Sequence, residues 1–212
     1  DHRALRRGLR GPDLLRPQAV TVVRRWLVVA ACALAVPTAA RAEPVVYQPQ
    51  PTTVGCAAAA AAMVASHLGV ATDARELLRT LPVFADGVSI YDVEVELERR
   101  GLRAATWSSD ARELRALLAA TPVIIAVTDG RKHTVVATGF DRDGLDVLDP
   151  GAPGRRRVDW DELARTWPAA GFQVLVVWRP SQPPTLSPRL FARAVRADGV
   201  YRREARRRRA RR

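Results

Sequence analysis

Residues 50–64 read QPTTVGCAAAAAAMV, and this stretch decides the fold that the rest of the chain builds around. Cys56 begins an alanine-rich helix that we expect to run to about Leu68 and to end at Gly69. Side chains this small allow the helix to pack tightly against a sheet. The stretch therefore predicts a sheet-packed helix with a thiol at its amino-terminal end.

Helix-capping signals predict most of the other helices. Asp73 caps a helix to about residue 81, Ser89 begins one to about residue 100, and Asp110 with Glu113 opens a third. Residues 102–107 form a predicted strand between the last two helices. The first half of the chain is thus mainly helical.

Apolar and β-branched runs dominate the second half, at residues 123–128, 133–140, 145–148 and 172–178. One helix, capped by Asp159 with Glu162, interrupts them. Helices followed by strands predict an α+β fold, in which amino-terminal helices pack against a carboxy-terminal antiparallel sheet.

The basic charge lies at the two ends of the chain. The formal net charge is +12, but residues 43–200 hold 18 basic and 19 acidic residues. Residues 202–212 hold eight arginines and no aromatic residue, and no DNA-binding motif lies nearby. We predict no specific nucleic-acid partner and a disordered basic tail, which has the charge to contact anionic surfaces.

Residues 24–42 have the pattern of an export signal. Arg24 and Arg25 precede an apolar run at residues 26–36, and an A-x-A cleavage pattern ends at Ala42. The run is shorter than the roughly 20 residues that span a bilayer. We predict cleavage after Ala42 and a periplasmic or secreted protein without a transmembrane segment. Lipoprotein processing at Cys32 is an alternative, disfavoured by the short apolar run before it.

Signal removal would leave Cys56 as the only cysteine, so it would form no internal disulfide. In the first turn of its helix, unpaired N–H groups and the helix dipole favour the thiolate. The thiolate is the nucleophilic form of cysteine. Cys56 is therefore a candidate nucleophile, and a small buried residue within the alanine run is the alternative.

The candidate base is His133. After signal removal, His67 is the other histidine, but it lies eleven residues beyond Cys56 on the same helix, roughly 16 Å away. His133 begins a strand after the turn at residues 129–132, and a strand end facing a helix mouth suits a base. An exposed histidine beside a basic turn is the alternative.

Asp149 ends the next strand, and whether it can orient His133 depends on the register of the hairpin between the two strands. If residues 139–143 form the loop, His133 lies opposite Asp149. If Arg142 and Asp143 form a two-residue turn, Asp149 faces Val136 instead, and a triad is excluded. An ordinary turn opener is the alternative for Asp149.

Two glutamines could supply an amide donor. Gln50 lies six residues before Cys56 and could stabilise an oxyanion together with the N–H of Cys56. Gln48 is its competitor. One cysteine and two histidines have no metal-ligand spacing, so we expect no metal or organic cofactor.

In order and spacing, these residues resemble the C39-like cysteine peptidases, the bacteriocin-processing, double-glycine type of the papain-like superfamily. The resemblance covers residues 45–178. The family has a glutamine six residues before the nucleophile, a small-residue helix, a His-x-Val-Val segment and a later Asp-Pro. The matching positions are Gln50, Cys56, residues 57–64, residues 133–136, and Asp149 with Pro150.

The resemblance implies a papain-like fold and assigns Cys56 as nucleophile, His133 as base, Asp149 as its orienting group and Gln50 as oxyanion donor. The family usually shows Asp-Cys-Gly where this chain has Gly55-Cys56-Ala57. Its transporter-fused members act on the cytoplasmic side, whereas this chain carries an export signal.

We therefore predict an exported thiol protease that hydrolyses peptide or protein substrates. The domain would span residues 43–179, followed by a proline-rich linker and short helix at residues 180–200 and the tail at 201–212. A catalytically inactive C39-like domain that binds peptides or a partner is the alternative. A third possibility is transfer of the acyl group to an amine instead of water.

Overall fold

The structure is a computed structural model that describes residues 44–194 and 196–197. The predicted export signal and the basic tail lie outside the described residues. Among the described residues, no helix combines the length and apolar character that crossing a membrane requires.

The helices form where the sequence predicts them, and side-chain caps open four of those described. Each cap accepts a hydrogen bond from a backbone N–H in the first turn, which satisfies one of the free donors there. Among the described residues the helices are α1 (Cys56–His67), α2 (Ala74–Thr80), α3 (Ile90–Arg99), α4 (Ala111–Leu118) and α5 (Trp160–Ala169), and residues 188–194 are also helical. The caps of α2 to α5 are Asp73, Ser89, Asp110 and Asp159, at 2.8, 3.3, 2.7 and 2.6 Å.

Helix α1 lies in the interior. Its first ten residues are all buried, because alanine side chains let neighbouring elements approach from every side. Gly69 follows the helix with a positive φ of 77°, and the Val70 N–H bonds the Ala65 carbonyl. This left-handed residue ends the helix as predicted.

The strands make one six-stranded antiparallel sheet with the order β1-β6-β2-β3-β4-β5. They are β1 (Arg103–Ser108), β2 (Val123–Asp129), β3 (Arg131–Phe140), β4 (Gly144–Leu148), β5 (Arg155–Asp159) and β6 (Gln173–Trp178).

Both faces of the sheet are buried. Alternate residues of β2 and β3 face opposite sides, so Ile124 and Val136 join the core around α1, whereas Ile125 and Val135 join a second core. The second core includes α4, α5 and Ala194 of the carboxy-terminal segment. The predicted α+β fold is confirmed, and the structure adds a second helical layer.

Two details differ from the predicted strands. Strand β3 begins at Arg131, so His133 is its third residue, because Gly130 (φ 69°) reverses the chain and Asp129 pairs with Arg131. Strand β5 was not predicted, since three of its five residues are arginines. Charged residues are common on edge strands, where they discourage pairing with other chains.

The β3–β4 hairpin has the two-residue turn at Arg142 and Asp143, because Phe140 pairs with Leu145 and the Asp141 N–H bonds the Gly144 carbonyl. The expectation that this turn excludes a triad was wrong. The pairing shifts between Ala137 and Gly139, so Thr138 is an extra residue in β3.

This β-bulge changes the face on which Asp149 lies. Val136 pairs with Leu148, and continuing the ladder by one residue places Asp149 opposite Val135. Val135 and His133 share one face of β3, whereas Val136 lies on the other. The Thr138 hydroxyl donates a 3.3 Å hydrogen bond to the Asp146 carbonyl across the bulge. The shift therefore brings Asp149 to the side of His133.

Substitution of Gly144 by alanine is expected to destabilise the domain by about 1–3 kcal/mol, the usual cost of overpacking. A Cβ at position 144 would lie 2.1 Å from the Val158 carbonyl oxygen and 2.7 Å from the Asp159 Cα. Urea denaturation of both proteins measures the difference in free energy of unfolding.

Gly139→Ala is the matched control in the same hairpin. A Cβ there meets only the Asp146 carboxylate oxygen, at an ordinary 3.5 Å, so we expect a smaller loss of stability. Equal losses for the two variants would show that the backbone contact at Gly144 is not the cause.

Candidate active site

Cys56 occupies the first turn of α1 and is 8% exposed. Gly55 precedes it as the N-cap and makes no side-chain cap hydrogen bond. No acidic side chain lies in the first turn. The positive end of the helix dipole therefore acts on the sulfur without competition from a capping carboxylate.

The packing around Gly55 explains why this chain lacks the aspartate that the family usually has at this position. A Cβ on Gly55 would lie 2.9 Å from Pro51 Cδ and 3.3 Å from Thr52 Oγ1. Pro51 and Thr52 therefore pack closely against the backbone of Gly55, the residue before Cys56. An aspartate would not fit there unless this turn moved, so glycine at this position is a packing requirement of this chain.

The structure brings Cys56, His133 and Asp149 together. The His133 Nε2 lies 2.6 Å from Asp149 Oδ1, and the His133 ring is close enough to Cys56 for each of the two groups to shift the pKa of the other. Because Nε2 faces the carboxylate, Nδ1 is the ring nitrogen left for the sulfur. A carboxylate on one ring nitrogen fixes the tautomer and orientation of the imidazole.

The electrostatics of the three groups support an ion pair. The Asp149 and Cys56 hydrogen bonds outweigh burial and raise the pKa of His133 to about 9. Burial raises the pKa of the Cys56 thiol. Hydrogen bonding and charge from His133, with hydrogen bonds from Thr134, outweigh burial, and the pKa falls below its ordinary value. The site thus favours thiolate and imidazolium.

Asp149 is held by more than the histidine. The Gly151 N–H donates to Oδ1 at 2.9 Å, and Arg156 Nε donates to Oδ2 at 3.0 Å. Burial disfavours the charged carboxylate, but His133, Gly151 and Arg156 together lower the pKa of Asp149 to about 2. The carboxylate is therefore ionised throughout the neutral range.

Gly151 also limits the space around the imidazole. A Cβ at position 151 would lie 3.2 Å from His133 Cε1 and 3.4 Å from Asp149 Oδ1. The turn after Asp149 therefore packs against both members of the pair. Sequence reasoning treated this turn only as an alternative explanation of Asp149.

Sequence reasoning missed Arg156, because it lies on β5, the strand that the sequence did not predict. One signal was present. The segment after β4, residues 151–154, reads Gly-Ala-Pro-Gly, and such a cluster of glycine and proline marks a turn that can join two strands.

The two candidate glutamines, Gln48 and Gln50, make different contacts. Gln48 binds the start of α2: its Oε1 accepts from the Ala74 N–H at 3.0 Å, and its Nε2 donates to Ser66 Oγ at 3.4 Å. The backbone N–H of Gln50 donates to the Pro150 carbonyl at 2.9 Å, beside Asp149. The Gln50 side-chain Oε1 is buried with no hydrogen-bond partner among the described residues.

His67 lies at the far end of α1, as the sequence predicted, and takes no part in this cluster. Its Nδ1 is buried without a hydrogen-bond partner among the described residues. No three His, Cys, Asp or Glu side chains in the described part of the chain are grouped as a metal site requires.

A cleft of about 890 Å³ opens beside Cys56 and His133. One wall is the segment of residues 80–92, and the other comes from the β2–β3 hairpin. An ion pair joins the two walls, with Lys132 Nζ 2.8 Å from Asp86 Oδ2. The volume is within the range of clefts that hold small ligands or short peptide segments.

Comparisons with known proteins identify the family and the fold. The model of the peptidase C39 family matches residues 43–181. A search of the curated proteins found no match.

Several solved structures are similar. A double glycine motif protease from an AMS/PCAT transporter, solved with its leader peptide, has 25% identity and a TM-score of 0.54, covering 66% of this chain and 94% of its own. The peptidase domain of Streptococcus ComA has 21% identity and a TM-score of 0.56, covering 64% and 99%. A C39-like peptidase from Bacillus anthracis has 16% identity and a TM-score of 0.56, covering 65% and 96%.

The family match covers most of the described residues, and the solved structures share the arrangement of helices on an antiparallel sheet. The papain-like fold that the sequence predicted is therefore confirmed, and family and fold together support a cysteine peptidase. The chain belongs to the peptidase C39 family.

Proposed function

We propose that the protein hydrolyses peptide bonds with Cys56 as nucleophile, His133 as acid and base, and Asp149 as the group that orients the histidine. The observation that carries this proposal is the position of one imidazole, which bonds a buried carboxylate and interacts with the thiol at the start of α1. A ring with these two partners is the arrangement that nucleophilic catalysis requires.

In the first step, the Cys56 sulfur attacks the substrate carbonyl carbon and forms a C–S bond. Negative charge then develops on the carbonyl oxygen. The backbone N–H of Cys56 and the side chain of Gln50 stabilise this oxygen in the proposal, which is supported by the free N–H groups at the start of α1 and by the position of Gln50 six residues before Cys56.

In the second step, the C–N bond breaks and the departing amine takes the proton of the His133 imidazolium. Water then attacks the thioester, giving its proton to His133 while the C–S bond breaks. Asp149 stays ionised throughout and stabilises the imidazolium, which agrees with its low pKa.

The substrate in this proposal is a peptide or protein segment that lies in the cleft beside Cys56. Support comes from the cleft itself and from the similar double glycine motif protease, which was solved with its leader peptide bound. Export to the periplasm or the medium, with cleavage after Ala42, also belongs to the proposal and is supported by the pattern of residues 24–42.

Iodoacetamide is expected to alkylate Cys56 faster at pH 7 than it alkylates a free cysteine thiol, because the lowered pKa populates the thiolate. In a His133→Gln variant, the imidazole that lowers the pKa of Cys56 is lost while the thiol stays buried. The alkylation rate should therefore fall below that of the free thiol. Mass spectrometry of the Cys56 peptide measures both rates.

His67→Gln is the matched control and should leave the alkylation rate unchanged. If wild-type Cys56 reacts no faster than a free thiol, the nucleophile assignment fails. The inactive, peptide-binding form of the domain would then be the better explanation.

Cleavage of a fluorogenic peptide is expected to decline as the pH rises through about 9. His133 has its pKa raised to about 9, so its proton is present below that pH and lost above it, and the leaving amine then has no acid. A decline centred near 6.5, the ordinary value for histidine, would contradict the ion pair.

Gln50→Ala is expected to lower kcat by about 10²-fold, in the range seen when one oxyanion donor is removed. Gln48→Ala is the matched control: it removes the bond to the Ala74 N–H and should lower stability without a comparable loss of kcat. Kinetics on the fluorogenic peptide and thermal unfolding of each variant separate the two effects. Equal kcat values for the two variants would rule out Gln50 as the donor.

A further inference from the structure

We propose that Arg156 is a positioning residue for the reaction, holding the Asp149 carboxylate in the one orientation that serves His133. This inference rests on the proposed function, because it gives a role to a residue that acts through the triad. Arg156 itself contacts neither Cys56 nor the His133 ring in the hydrogen bonds observed.

The register of the sheet places Arg156 beside Asp149. Arg156 pairs with Val147 across β4 and β5, and Asp149 lies two residues beyond Val147 on the same face. Diagonal neighbours in a sheet are about 7–8 Å apart, a separation that a long side chain can bridge. Arginine reaches the carboxylate from the neighbouring strand for this reason.

Each oxygen of Asp149 has its own partners. Oδ1 accepts from His133 Nε2 at 2.6 Å and from the Gly151 N–H at 2.9 Å. Oδ2 accepts from Arg156 Nε at 3.0 Å. Rotation of the carboxylate would break bonds on both oxygens, so the guanidinium opposes the motion that would release the imidazole.

Arg156 is itself fixed at its other end. Its Nη1 donates to Glu162 Oε1 at 2.9 Å. The backbone N–H of Glu162 donates to Asp159 Oδ1 at 2.6 Å, which fixes this residue in the first turn of α5. The planar guanidinium therefore spans from the triad to a helix terminus, and its geometry allows both bonds at once.

The four charges along this line alternate in sign. The His133 imidazolium is followed by Asp149, then by Arg156 and finally by Glu162. Asp149 is mostly buried, with its side chain 9% exposed, so an unbalanced charge beside it would be costly. Arg156 supplies the second positive neighbour that keeps the carboxylate ionised when His133 gives up its proton during the reaction.

Arg157 provides a matched control one residue away. It lies on the opposite side of β5 and makes ion pairs with Asp141 and Asp146 near the hairpin turn. Its pairs are half-exposed and reach none of the triad residues. An arginine in the same strand can thus be neutralised without altering the bonds to Asp149.

The experiment compares Arg156→Gln and Arg157→Gln in the full chain, with a fluorogenic peptide containing a Gly-Gly bond and with iodoacetamide as probes. Arg156→Gln is expected to lower kcat about tenfold with KM within twofold of wild type, and to slow Cys56 alkylation severalfold. Arg157→Gln should match wild type in all three measurements. Thermal unfolding shows whether each variant is folded.

A conservative variant and chemical rescue separate positioning from a structural role. Arg156→Lys keeps one charge without the two-armed geometry, so its kcat should lie between wild type and Arg156→Gln. Added guanidinium chloride at millimolar concentration should partly restore kcat in Arg156→Ala but not in Arg157→Ala. A structural role predicts lower stability in the Arg156 variants, no rescue, and kcat changes that follow the folded fraction.

The outcomes distinguish this inference from the proposed function. If wild type neither cleaves the peptide nor reacts rapidly with iodoacetamide, the proposed function fails. If wild type is reactive and Arg156→Gln keeps kcat and alkylation within twofold, the role of Arg156 is refuted while the triad stands. Loss of kcat in Arg157→Gln equal to that in Arg156→Gln would also refute it.

Discussion

One extra residue in β3 is the constraint on which the site depends. Successive side chains of a strand point to opposite faces, so a shift of one residue moves Asp149 from one side of the sheet to the other. The bulge at Thr138 makes that shift, and the two-residue turn at the end of the hairpin can then coexist with the His133–Asp149 hydrogen bond. The bonds from Asp149 to His133 and to Arg156 both depend on this register.

The sequence predicted the helices more accurately than the sheet, for a physical reason. A helix is capped by residues a few positions away, so Asp73, Asp110 and Asp159 indicate their helices locally. Strand pairing depends on distant residues, and a bulge leaves no fixed mark in the sequence. Cys56 and His133 could be proposed from position and elimination, whereas the placement of Asp149 required the register and was argued from the wrong loop length.

Arg156, which the sequence did not predict as a site residue, lies on β5, a largely exposed strand rich in charged residues. Arg155, Arg156 and Arg157 have no apolar alternation to predict β structure, yet β5 pairs fully with β4. Gly55 departs from the family pattern, and the structure accounts for this glycine by the close approach of Pro51. Strand β5 could be identified only from its pairing with β4, and the reason for glycine at position 55 only from the packing around it.

The extended segment before α1 has a consequence for the time at which the site can form. The Tyr47 hydroxyl donates to the Ala152 carbonyl at 2.6 Å across a separation of 105 residues, and Gln50 bonds the carbonyl of Pro150. Contacts between residues so distant in sequence close late in folding, after the local helices and hairpins have formed. A nascent chain emerging from the ribosome therefore carries the Cys56 thiol before His133 and Asp149 have been synthesised. The cluster of these three side chains forms only after both halves of the domain have been made.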